Sequence, residues 1–102
     1  MTDIATELKE LSDSASFTMV DMATWCECDK SAVREWMTHG VTPHPVKMKH
    51  LRKRLDLLKV MLKDKSKMLP VPIQIKQYDR VKHVQQARDY ALRKLSKASI
   101  TN

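Results

Sequence analysis

The chain has little of what builds β-structure. Its 102 residues include a single glycine, four prolines and only 5% aromatic residues. So few turn formers and aromatics argue against a β-rich fold, and helix-forming residues dominate instead. No apolar run approaches the roughly 20 residues needed to cross a bilayer. The first residues lack the basic stretch and continuous apolar segment of a secretory signal. These absences point to a cytoplasmic chain in which both cysteines stay reduced.

Catalytic patterns are missing as well. There is no glycine-rich phosphate loop, no Gly-x-Ser-x-Gly, no His-Glu-x-x-His and no pair of carboxylates on an evident pocket wall. His39, His44, His50 and His83 are dispersed. The chain reads as a non-enzyme with no cofactor. A zinc site also fails on spacing. Zinc fingers place about two to four residues between cysteines, whereas one residue separates Cys26 from Cys28 and ten lie between Cys28 and His39. No metal is expected.

What the chain has in excess is positive charge, unevenly placed. The net charge is +7, yet residues 1–45 hold eight acidic and three basic residues, while 46–67 hold nine basic and two acidic. Residues 68–102 add seven basic and two acidic. At 11.8 kDa there is room for one domain, or a small domain and an oligomerising arm. The charge step divides the chain into 1–45 and a basic helical oligomerisation region, 46–102, with a proline-containing connector at 70–75.

Hydrophobic spacing predicts an all-α protein. Ile4, Leu8 and Leu11 mark a first helix, capped by Thr2 or Asp3 and ended by Ser12-Asp13-Ser14. A second runs from Met19 to Trp25 or Cys26, with Thr18 as N-cap and Phe17 as a hydrophobic staple. A third covers Lys30 to His39, with Asp29 as N-cap and Gly40 as its stop. Pro43 and Pro45 break the chain. The longest pattern spans Val46 to about Leu69, where Met48, Leu51, Leu55, Leu58 and Leu62 form a heptad seam. The segment from Pro70 to Ile75 reads as an extended connector or short edge strand. A final helix, Gln77 to Ser96, carries Val81, Val84, Leu92 and Leu95 on its apolar face. It is expected to fold back on the long helix as a hairpin, or to exchange between subunits. These broad faces predict a homodimer or larger oligomer.

Residues 17–43 hold the most specific pattern. Met22 and Ala23 pair an apolar with a small residue, Cys26 and Cys28 can close a turn, and Val33 and Trp36 share the inner face of the next helix. Ala23, Cys26, Cys28, Asp29, Ser31, Val33, Arg34, Trp36, Gly40 and Pro43 together resemble the helix-turn-helix family of DNA-binding domains. That family includes small bacterial and phage regulators, excisionases and terminase DNA-recognition subunits. The resemblance covers about a quarter of the chain. It departs from the family at Glu27, which stands where glycine usually supports a left-handed backbone, a substitution costing roughly 1 kcal/mol.

The resemblance implies double-stranded DNA as partner and places Lys30, Ser31, Arg34 and Thr38 toward the major groove. Arg34 would bond a guanine bidentately, and Glu35 would accept from cytosine or pair with Lys30 or Arg34. Lys47, Lys49, Arg52 and Lys53, just past the prolines, would hold flanking phosphates. His50 stands among them. Trp36 reads as core, and Trp25 as a contact on the first helix or an interface. The expected role is an oligomeric transcriptional regulator of phage or bacterial type, in the host cytoplasm if a phage encodes it. One alternative is a DNA-packaging recognition ring resembling the terminase small subunit. Another is a protein-interaction adaptor or inhibitor, with a protein partner and no DNA binding.

Overall fold

All five helices that the periodicity predicts are present, and the differences lie at their ends. The structure is a computed structural model that describes residues 3–64, 68–72 and 74–95. Thr2 and Ser96, and residues 65–67 and 73 within the expected long helix and connector, lie outside the described residues. No strand occurs among the described residues, the connector included.

Helix α1 spans Ile4–Ala15, and the Asp3 carboxylate accepts from the Thr6 N–H at 2.8 Å. It does not stop at Ser12-Asp13-Ser14. Ala15 is fully buried, and Phe17 N–H bonds the Ser12 carbonyl at 2.8 Å while Ser16 N–H bonds that of Asp13 at 3.3 Å. Such a double bond around a left-handed residue, here Ser16 at φ 56°, satisfies the terminal carbonyls and ends the helix a turn later.

Helix α2, Met19–Cys26, starts in a reciprocal capping box. Asp21 N–H donates to Thr18 Oγ1 at 3.2 Å, and Thr18 N–H donates to Asp21 Oδ2 at 3.0 Å. It ends as α1 does, with Cys28 N–H on the Ala23 carbonyl and Glu27 left-handed at φ 55°. Helix α3 spans Lys30–Thr38. Asp29 occupies its N-cap position with an extended backbone, but its side chain makes no capping bond, contrary to expectation. Beyond the helix Gly40 turns left-handed at φ 66°, and Val41 N–H reaches back to the Glu35 carbonyl at 3.3 Å.

Helix α4, Pro45–Lys63, takes Pro45 into its first turn, where a missing N–H costs nothing. It ends well short of Leu69. Leu69 and Val71 instead turn inward and are buried, and Val71 N–H donates to the Ala15 carbonyl at 2.9 Å. The connector is thus tied to the end of α1. Helix α5, Gln77–Tyr90, continues as a wider π-type turn over Ala91–Leu95.

Helix α3 lies on α1 and α2, while α4 crosses the same two helices from another side. Helix α5 runs along α2 and meets α4 chiefly through Ala91–Leu95, so the expected α4–α5 hairpin is replaced by an α2–α5 pair. One core draws on both segments separated at residue 45: Leu8, Trp25 and Val33 from the first, Leu55, Leu58 and Val84 from the second. The 45/46 boundary marks a change of charge and not of core. The apolar seam assigned to oligomerisation is largely used within the chain. Leu51, Leu55, Leu58 and Val84 are buried, and Met48, Leu62, Val81, Leu92 and Leu95 are partly covered. Heptad spacing reveals an apolar face but not which helix covers it.

Trp25 lies at the centre of this core and not at its edge. Its indole N–H donates to the Arg54 carbonyl at 2.8 Å, and its ring packs tilted against Phe17 at 6.1 Å between centroids. Later arginines and a lysine pair with some of the acids of the first segment. Glu7 is held by Arg52 at 2.5 Å and Lys59 at 2.9 Å, and Asp21 by Arg80 at 2.8 Å.

These contacts make stability depend on acid. The Arg52 hydrogen bond, opposed by burial and aided by Lys59, lowers the Glu7 carboxyl below its ordinary 4.5. A carboxyl lowered on folding contributes stability above its unfolded pKa and loses it as pH falls through the folded value. Glu7→Gln should therefore be less stable than the parent at neutral pH, with the difference vanishing below that folded value. Denaturation curves at stepped pH check this. A difference that persists undiminished at the lowest pH would contradict it.

Candidate nucleic-acid interface

Three elements build the site: α3, the turn before it and the first turns of α4. On α3, Val33 is fully buried and Trp36 is 5% exposed, both against α1 and α2. With a 100° step per residue, this inner pair fixes the outer face. Lys30, Ser31, Arg34, Glu35 and Thr38 are all exposed. The Thr38 hydroxyl donates to the Arg34 carbonyl at 2.6 Å, which ties that side chain to its own helix. Arg34 and Glu35 form no ion pair among the described residues, so the expected pairing of Glu35 with Lys30 or Arg34 is not made.

The turn explains how a glutamate replaces glycine. Glu27 is left-handed, and its carboxylate is held by Arg54 of α4 and, at 3.7 Å, by Arg88 of α5. Arg88 also donates to the Thr24 carbonyl at 2.9 Å, close to the end of α2. Charge pairing from two other helices offsets the backbone strain of a non-glycine residue here. Sequence reasoning missed both arginines. Arg54 is distinguishable from its basic neighbours only by facing the turn, and that depends on how α4 crosses α2.

The basic residues of α4 divide by what they touch. Lys47, Lys49 and Lys53 are exposed. Arg52 is not free for a phosphate, because its guanidinium is bound to Glu7 of α1. His50 uses Nε2 to donate to the Cys26 carbonyl at 2.9 Å, bracing the turn against α4. Between the turn and α4 lies a half-open pocket of about 300 Å³ lined by Cys26, Cys28, Trp36, Val46, Lys47 and His50, among others. Pro43, last residue of the resemblance, is buried.

The two thiols in the turn differ. Cys26 is fully buried, and its hydrogen bond with Cys28 together with burial raises its pKa well above the ordinary thiol value. Cys28 is half-buried, and the same hydrogen bond, aided by Lys47 and opposed by burial, lowers it. Among the described residues no group of three or more His, Cys, Asp or Glu side chains is arranged to hold a metal ion. No described helix is long and apolar enough to cross a membrane.

No protein-family model matches the chain, and no curated protein or solved structure matches it either.

Proposed function

We propose that the chain is a sequence-specific double-stranded DNA-binding protein of helix-turn-helix type, acting as a small transcriptional regulator of phage or bacterial kind. One observation carries the reading: α3 is locked from within by Val33 and Trp36 while Lys30, Ser31, Arg34 and Thr38 all stand in solvent. A helix that enters a groove needs a rigid inner side and an unobstructed outer one. Among the described residues no later segment covers Arg34, and its guanidinium is not spent on a carboxylate.

Affinity would come from the exposed lysines at the start of α4. Phosphate neutralisation supplies a large share of binding to duplex DNA and makes it salt-dependent. The ion pairs of Glu7, Asp21 and Glu27 reduce the repulsion that the acidic first segment would otherwise present. Arg34 would supply discrimination, because a guanidinium matches the two acceptors of guanine.

Selection of bound duplexes from a random pool tests the reading. It should yield a defined site whose binding weakens steeply with salt. The double variant Lys47→Ala/Lys49→Ala should bind all sequences more weakly and reduce the logarithmic salt slope by about 2, near one per lost phosphate contact. A pool that yields no duplex binding, or binding insensitive to salt, would favour the adaptor reading instead.

A further inference from the structure

The sulfur atoms at the end of α2 form a cluster that DNA binding does not use. Met22 and Cys26 are four residues apart on one helical face, and Cys26 Sγ lies 3.7 Å from Met22 Sδ. The left-handed turn at Glu27 then reverses the chain, and Cys28 N–H bonds the Ala23 carbonyl at 3.0 Å, which holds Cys28 against the end of α2. The half-open pocket of about 300 Å³ that both cysteines line leads from solvent to this cluster.

We propose that this turn binds a soft monovalent metal ion, of the Cu(I) or Ag(I) class, between the thiolates of Cys26 and Cys28 with the Met22 thioether as a third donor. Thiolate and thioether sulfurs select soft ions. Zinc, which takes four ligands in closed sites, lacks them here: no third His, Cys, Asp or Glu completes a set among the described residues, and His50 commits Nε2 to the Cys26 carbonyl. Binding involves no change of oxidation state. Each thiol gives one proton to solvent and one bond to the metal, so a monovalent ion with two thiolates carries one net negative charge. Lys47, which lines the same pocket as both cysteines, supplies a positive charge beside it. The site is independent of whether α3 reads DNA.

Ag(I), which resists redox change, is the probe. The full chain, with both thiols reduced and air excluded, is titrated with Ag(I) against a competing chelator. Charge-transfer absorption, native mass and proton release are recorded. Absorption should saturate at one ion per chain, with two protons released per ion. Cys28→Ser, at a half-buried position that tolerates the change, should abolish that saturation while far-ultraviolet circular dichroism stays helical. Met22→Leu preserves core volume and should weaken binding without abolishing it, whereas a matched Met37→Leu variant should leave it unchanged. Unaltered Ag(I) affinity in Cys28→Ser, or an ion found only between two chains, would overturn the site. Equal affinity in Met22→Leu and the parent would overturn the three-sulfur arrangement.

Discussion

Asp21→Ala is expected to remove about 3–5 kcal/mol of stability, the usual cost of breaking a buried ion pair from one side. Asp21 is 1% exposed and does two jobs. Its carboxylate accepts the Thr18 N–H that would otherwise be unsatisfied at the start of α2, and it receives Nε and a terminal nitrogen of Arg80 at 3.0 and 2.8 Å. Arg80 is itself mostly covered and also donates to the Ser16 carbonyl, so it cannot simply turn to water. Alanine therefore strands a cation, opens the cap and loosens α5 from α2 in one step. Asp21→Asn keeps an acceptor oxygen and should lose less. Against a total of roughly 5–15 kcal/mol for a domain, the alanine variant should be marginal. Urea denaturation followed by circular dichroism measures the difference. A midpoint within error of the parent would show that α5 is not anchored through this pair.

Trp25→Ala should cost a similar amount, about 3–5 kcal/mol, as for other large aromatic truncations in a packed core. The side chain is fully buried, touches Phe17 and bonds the Arg54 carbonyl, so its loss leaves a cavity where α2 meets α4. Trp25→Phe keeps most of the volume and loses chiefly the N–H bond, a net effect of about 1 kcal/mol. The ranking of alanine far below phenylalanine, with phenylalanine just below the parent, is the informative result. Equal losses would place the importance of Trp25 in its hydrogen bond and not in packing.

What could be read from sequence was local. Thr18 as a cap, Phe17 beside it, and the inward placement of Val33 and Trp36 follow from spacing within a few residues, and the structure reproduces each. The left-handed turn at Glu27, which the family resemblance implies and spacing does not, is also present. What could not be read was long-range. Arg52 looked like one more phosphate contact, yet it pairs with Glu7, 45 residues earlier in the chain. Arg80 meets Asp21 across 59 residues, and no periodicity signals that pairing. The apolar seam of α4 was evident, but its coverage by the chain's own core depends on α4 crossing α1 and α2. Trp25 fell outside the inner pattern of α2 because that pattern considers only the contact with α3. The later helices make its other side interior too.

The central claim is that the outer side of α3 reads base pairs, and Arg34→Ala tests it most directly. Binding of parent and variant is measured by fluorescence anisotropy on the selected duplex and on copies altered at one base pair at a time. The parent should lose affinity at each altered position. The variant should bind the selected duplex about 1–3 kcal/mol more weakly and become indifferent to one of those positions. Identical affinity and identical base preferences in parent and variant would contradict the account.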